Sequence, residues 1–283
     1  MKVTCIQMDM QLGKPKENFQ HAEALIAEAA KGQPDVIVLP ETWNTGFFPR
    51  ENLAALADED GRQVKARIGA LAKQYGVNIV AGSVANRKET GHSEKDCHDQ
   101  SANWSRNDRI GIYNTAYVFD RSGSVVAEYD KTHLFTPSGE HEFFQKGQSL
   151  CRFSLDGIAC ALIICYDIRF PELTRSLTVQ GVDLLFCVAQ WPNVRTAHLL
   201  ALSKARAIEN QMFLVCCNSC GTAGKTTCGG NSSIHDPWGE CLAQAGEHEQ
   251  FLTAELDFSI VQGIRSSINV FRDRRPELYS VDN

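Results

Sequence analysis

Short apolar runs alternate with stretches of helical periodicity along most of the chain. VTCIQM, starting at Val3, has the continuous apolar character of a buried strand. Over residues 18–30, Phe19, Ala22, Leu25, Ile26 and Ala29 recur at helical spacing, and DVIVLP then predicts a short buried strand ending at Pro40. The cycle repeats as a helix over residues 64–75 and a strand at VNIVAGSV. NTAYVFD and SVVAEYD flank a Ser-Gly turn between Tyr113 and Asp130, the pattern of a hairpin. The second half continues in kind: strand ACALIIC, a helix starting near Pro171, strand VDLLFCV, a helix over residues 198–210 and strand MFLVCCN. A hairpin around Pro237 and Gly239, a strand FLTAELD, a helix from Ser259 and a C-terminal arm VFRDRRPELY complete the chain. Continuous apolar strands alternating with helices predict an α/β fold whose sheets are covered by helices.

One segment breaks the rhythm. Residues 87–108, RKETGHSEKDCHDQSANWSRND, are polar and lack periodicity, so they read as a long surface loop, either a tolerated insertion or a lid. No linker divides the remainder, which predicts a single domain over residues 1–283.

Composition narrows the function classes. The 283 residues are 43% hydrophobic with a net charge of -6, so nothing electrostatic points to nucleic acid or an anionic membrane as partner. The opening residues lack the apolar core of a signal peptide, and no stretch approaches the ~18 apolar residues of a membrane span. A cytoplasmic protein is expected. Eleven cysteines, an odd number, then read as free thiols, mostly core fillers. Cys217 and Cys220 form an isolated CxxC, and Cys97 adjoins His98; both are weak metal signals, and no metal is expected.

Three side chains stand at strand ends, where active sites of α/β sheets gather. Glu41 directly follows DVIVLP; partial desolvation makes a carboxylate there a usable base, and a capping or salt-bridged glutamate is the alternative. Lys131 ends EYDK and is either an ordinary surface charge or a fixed cation for a developing oxyanion. Cys165 ends ALIIC and precedes a polar turn, Tyr166, Asp167 and Arg169, before Pro171 opens a helix. Such a strand–Cys–turn–helix exposes sulfur at a bend and aims backbone N–H groups at a carbonyl, as at a hydrolase nucleophile elbow.

LPETWNTGF around Glu41, YDKTHLF around Lys131 and IICYDIRFPEL around Cys165 resemble, in order and spacing, the three signature motifs of the nitrilase, or carbon–nitrogen hydrolase, superfamily. KARAIENQMF, NSSIHDPWGE and INVFRDRRPELY extend the resemblance over nearly the whole chain outside residues 87–108. It implies a four-layer alpha-beta-beta-alpha sandwich carrying a Glu41, Lys131 and Cys165 triad, without metal or organic cofactor, usually in a homodimer or larger homo-oligomer. A second glutamate often lines the family's site; Glu140 falls there, with Glu142 the nearby competitor.

The implied chemistry is amide hydrolysis through a thioester. Cys165 attacks with Glu41 as base, a neighbouring lysine lowering the thiol's pKa. Lys131 and the backbone N–H of Tyr166 hold the oxyanion, and Glu140 positions Lys131 or the attacking water. Within the superfamily, YDIRFPEL and VAQWP look most like the omega-amidase branch, which deamidates 2-oxoglutaramate and 2-oxosuccinamate. Arg169 is either the partner of a substrate carboxylate or a structural arginine bonding loop carbonyls or Glu172. Trp43, Phe47 and Trp191 either wall a small pocket or belong to the core. Leu199 departs from the pattern, since relatives often carry an aromatic residue after His198. Rival readings are a deaminated-glutathione amidase, an N-carbamoyl-amino-acid amidohydrolase, a nitrilase, or a catalytically silent member that binds a metabolite or a partner protein.

Overall fold

A computed structural model describes residues 1–90 and 110–279. The first half comprises β1 (Lys2–Gln7), α1 (Pro15–Ala30), β2 (Val36–Val38), α2 (Leu53–Leu56), β3 (Asp58–Glu59), α3 (Arg62–Tyr75), β4 (Asn78–Glu89), β5 (Ile110–Phe119) and β6 (Val125–Asp130). The second half comprises β7 (Arg152–Leu155), β8 (Ile158–Ile164), α4 (Pro171–Thr178), β9 (Leu184–Ala189), α5 (Thr196–Asn210) and β10 (Phe213–Asn218). It continues through β11 (Thr222–Ala223), β12 (Thr226–Thr227), β13 (Ser233–His235), β14 (Cys241–Gln244), β15 (Gln250–Glu255) and α6 (Ser259–Ser267).

The strands form two large sheets. One runs β15-β1-β2-β4-β5-β6 with β3 beside β4, and the other runs β14-β13-β10-β9-β8-β7. Alternation along the first sheet assigns its faces. Val36 and Val38 join the core shared by the two sheets, while Ile37 between them packs under α1 and α3; Val80 opposes Ile79 and Ala81, and Val118 opposes Tyr117 and Phe119, in the same way. Phe19, Ala22 and Ile26 of α1, with Val64, Ile68 and Ala72 of α3, cover that outer face. Leu173 and Leu177 of α4, with Leu199 and Ala207 of α5, cover the second sheet. The result is a four-layer α-β-β-α sandwich, as the motif resemblance implied.

Opposite ends of this sandwich differ in character. Arg121 bonds Asp35 just before β2 (2.7 Å), Asp156 just before β8 (2.6 Å) and the carbonyl of Gly76 (2.8 Å), clamping the strand beginnings of both sheets together. The strand ends are therefore held in register at the other side. Among the described residues, no helix is long and apolar enough to cross a membrane.

One reading of the sequence needs correction, and one open alternative is decided. The expected loop over residues 87–108 starts too early, because residues 87–89 continue β4 and pair with Ile112, Gly111 and Ile110 of β5. Their polar side chains hide the strand: Arg87 pairs with Glu59, and Lys88 with Glu128 and Asp130. Residues 91–108 of that segment, including Cys97 and His98, lie outside the described residues. Trp43 is wholly buried, edge-on to Phe19 with its indole N–H donating to the Ala81 carbonyl, and is core rather than pocket wall. The edge strand β7 and the two-residue strands β11 and β12 have too little apolar periodicity to be recognised.

Candidate active site

Glu41, Lys131 and Cys165 follow β2, β6 and β8, so two sheets deliver them to one place. Glu41 spans the gap between the sheets: its backbone N–H donates to the Ala189 carbonyl (3.3 Å), and its Oε2 accepts the N–H of Gln190 (2.8 Å) at the end of β9. Cys165 sits in the left-handed region at φ 47°, a strained conformation for a residue with a Cβ, and opens a 3-10 helix (Cys165–Arg169) ahead of α4. Asp167 holds this turn. Its wholly buried carboxylate accepts from the Ile164 N–H (3.0 Å), the Tyr129 hydroxyl (2.8 Å), the Thr132 hydroxyl (3.0 Å) and the His133 N–H (3.0 Å). One side chain thus fastens the Cys165 turn to the loop carrying Lys131. Asp167→Ala orphans several buried donors, so a stability loss of about 2–4 kcal/mol is expected, with a parallel fall in activity. Urea denaturation read beside turnover checks it.

The charged groups form a closed network. Lys131 Nζ donates to Glu41 Oε1 at 2.8 Å and to both oxygens of Glu140 at 3.0 Å. Asn114 Nδ2 bonds Glu41 (2.8 Å) and Glu140 (3.3 Å), and the N–H of Phe135 caps Glu140 Oε2 at 2.6 Å. Glu41, Lys131 and Glu140 are each no more than 3% exposed. Glu142, the competitor for the second glutamate, is exposed to solvent. Burial opposes the charge of Lys131, but Glu140, Glu41 and Cys165 outweigh it and hold the ammonium well above its ordinary pKa.

The thiol behaves otherwise than expected from its lysine neighbour. Burial pushes the Cys165 pKa well up, the Glu41 carboxylate pushes it further, and the opposing pull of Lys131 does not reverse this. The resting sulfur stays an S–H in the field of the Glu41 carboxylate. Ionisation is therefore coupled to proton removal by Glu41 rather than complete beforehand.

These groups floor a cavity of about 280 Å³. Phe47, Tyr166, Arg169 and Trp191 line it, as do Phe135, Arg195 and the tip of the β11–β12 hairpin. Arg169 lies 4.7 Å over the Trp191 ring and 3.3 Å from His198 Nδ1, and among the described residues makes neither of the structural bonds considered for it. Leu199 is wholly buried in the core and does not shape the cavity. Sequence reasoning missed Asn114, Phe135, Arg195 and the hairpin. Only Asn114 left a trace, as a polar residue inside an apolar strand.

A sequence profile of the carbon–nitrogen hydrolase family matches residues 2–266. A 2-oxoglutaramate amidase of Bacillus subtilis is 42% identical over 277 residues, 98% of each chain. The chain belongs to the carbon–nitrogen hydrolase family. This hydrolase is also 37% identical over 281 residues to a hydrolase in the agr operon of Staphylococcus aureus, covering 99% of this chain and 100% of that one. Its fold matches a CN-hydrolase superfamily protein of Xanthomonas campestris, solved with an arsenic adduct in the active site (TM-score 0.82, 26% identity, 97% of both chains). As a family member, the carbon–nitrogen hydrolase acts on C–N bonds other than peptide bonds, and a cavity of this size suits a small molecule. Two thiols of the hydrolase once open to a metal reading are structural: Cys217 donates to the carbonyls of Ile6 and Val38, and Cys220 to that of Gln7.

Proposed function

We propose that this carbon–nitrogen hydrolase is an amidase releasing ammonia from a small amide with a carboxylate at its far end, 2-oxoglutaramate being the best-fitting substrate. The observation that carries the reading is the juxtaposition, at one cavity floor, of a buried thiol, a buried carboxylate and an ammonium bonded to that carboxylate. The identity with the Bacillus subtilis amidase and the guanidinium of Arg169 in the wall support the substrate.

In this mechanism Cys165 Sγ attacks the amide carbon while Glu41 takes the thiol proton. Negative charge passes to the amide oxygen, held by Lys131 and by the N–H of Tyr166, which lies in the first helical turn where N–H groups lack intrahelical acceptors. The charge balance favours this step: as Glu41 is neutralised it releases its hold on Lys131, whose ammonium turns to the oxyanion while Glu140 keeps it in place. Glu41 then gives the proton to the amide nitrogen as its C–N bond breaks, so that ammonia leaves and a thioester remains. Water attacks the thioester with Glu41 again as base, regenerating the thiol.

Glu140 is a positioning residue here. Glu140→Gln is expected to lower kcat by about 10- to 100-fold with little change in KM, since it frees Lys131 without touching substrate contacts. Steady-state kinetics check this. The reading itself is tested by ammonia release from 2-oxoglutaramate, an N-carbamoyl amino acid and a nitrile side by side. Preference for the oxo-acid amide supports it; preference for either rival would replace it with the corresponding family activity.

A further inference from the structure

The cavity wall holds a second guanidinium. Trp191, 3% exposed, is the frame for both. Arg169 lies on its ring at 4.7 Å, and its indole N–H donates to the backbone carbonyl of Arg195 at 2.8 Å, fixing the turn from which Arg195 projects. The Arg195 guanidinium lies 5.2 Å over the face of Phe135 and is partly buried. Among the described residues, no carboxylate pairs with the side chain of Arg169 or Arg195. The two carboxylates lining the cavity, Glu41 and Glu140, are both held by Lys131.

A half-buried, unpaired guanidinium is uncommon in a chain of net charge -6, because desolvation costs more than stacking on one ring returns. Two such groups on one platform mark a place for an anion with several acceptor oxygens. We propose that Arg195 is a specificity-determining residue that grips the carboxylate end of the substrate together with Arg169. The pair meets the carboxylate from two directions, and a neighbouring 2-oxo group offers a further acceptor. Phe135 keeps the guanidinium plane facing the cavity, and Trp191 sets the spacing between the two cations. An uncharged amide of similar length makes neither contact. This inference rests on the amidase reading above and names the residue that selects the substrate class.

The experiment compares kcat/KM for 2-oxoglutaramate and butyramide in wild type, Arg195→Leu and Arg195→Lys. Losing a charged hydrogen-bond partner in a partly dry site is expected to lower the ratio of the two specificity constants by about 10- to 100-fold in Arg195→Leu, mostly through KM for the acid. Arg195→Lys, which keeps the charge but loses the planar fork, should recover part of the ratio. Equal losses on both amides, or an unchanged ratio, would overturn the proposal while leaving the amidase reading intact. Calorimetric binding of 2-oxoglutarate to wild type and Arg195→Leu reads the same contact without turnover. Weaker binding in the variant supports the grip even if neither amide is hydrolysed, a result that would sink the amidase reading alone; equal binding contradicts it.

Discussion

Replacing Cys165 with alanine is expected to lower ammonia release from 2-oxoglutaramate by at least about 10⁴-fold, as loss of a covalent nucleophile does elsewhere. No neighbouring group substitutes for it. Glu41 and Glu140 are committed to Lys131, and the neighbouring thiols Cys187 and Cys216 are wholly buried in the core, where the Cys216 neighbour and burial hold the Cys187 pKa well up. The fold should survive. Alanine removes one buried sulfur from a strained position, a cost of about 1 kcal/mol, so the melting temperature should move by only a few degrees. Turnover and thermal melting on the same preparation check both halves. Activity retained at more than a few per cent of wild type would move the nucleophile elsewhere.

Lys131→Met should have the second largest effect and should strike stability as well as rate. The ammonium is the only protein cation bonded to Glu41 and Glu140 among the described residues. Removing it leaves two carboxylates a few ångströms apart in a site that water scarcely reaches, with Asn114 their remaining shared donor. A loss of about 3–5 kcal/mol in folding stability is expected at neutral pH. The oxyanion also loses a donor, worth about 3–4 kcal/mol of barrier or roughly 10²- to 10³-fold in kcat. The two effects separate by pH. Protonating one of the paired carboxylates relieves their repulsion, so the variant should regain stability as the solution is acidified from neutrality, whereas its rate should not return. Denaturation curves across that range, with kcat on the fraction still folded, test the assignment. A variant as stable as wild type would mean that Lys131 does not compensate those charges.

Much of this arrangement is legible in the sequence because it depends on local order. DVIVLP, EYDK and ALIIC each place one chemically active residue at the end of a strand, and strand ends of α/β sheets are where such residues meet. The two-residue period of a strand likewise puts Ile37 on the face opposite the one shared by Val36 and Val38. The departures are long-range or electrostatic. Nothing local to Cys165 reveals that Glu41, 124 positions earlier, lies close enough to raise rather than lower its pKa. Asp167 is two residues from Cys165, yet its partners Tyr129, Thr132 and His133 come from the end of β6 and the loop after it in the other sheet, so its fastening role is a property of the assembled site. The polar end of β4 reads as loop because ion pairs, not apolar packing, stabilise Arg87 and Lys88 there. Arg195 is invisible for a related reason: only the folded chain sets it on Phe135 beside a carbonyl anchored by Trp191.

The most direct test of the central claim is to acid-quench wild-type enzyme during turnover of 2-oxoglutaramate and map the acyl adduct by peptide mass spectrometry. An acyl group on the Cys165 peptide, absent from Cys165→Ala and diverted to a hydroxamate when hydroxylamine is present, is the expected result. An adduct on another residue, or turnover that hydroxylamine never diverts and that leaves no adduct, would contradict the thioester route and with it the role given to Glu41, Lys131 and Cys165.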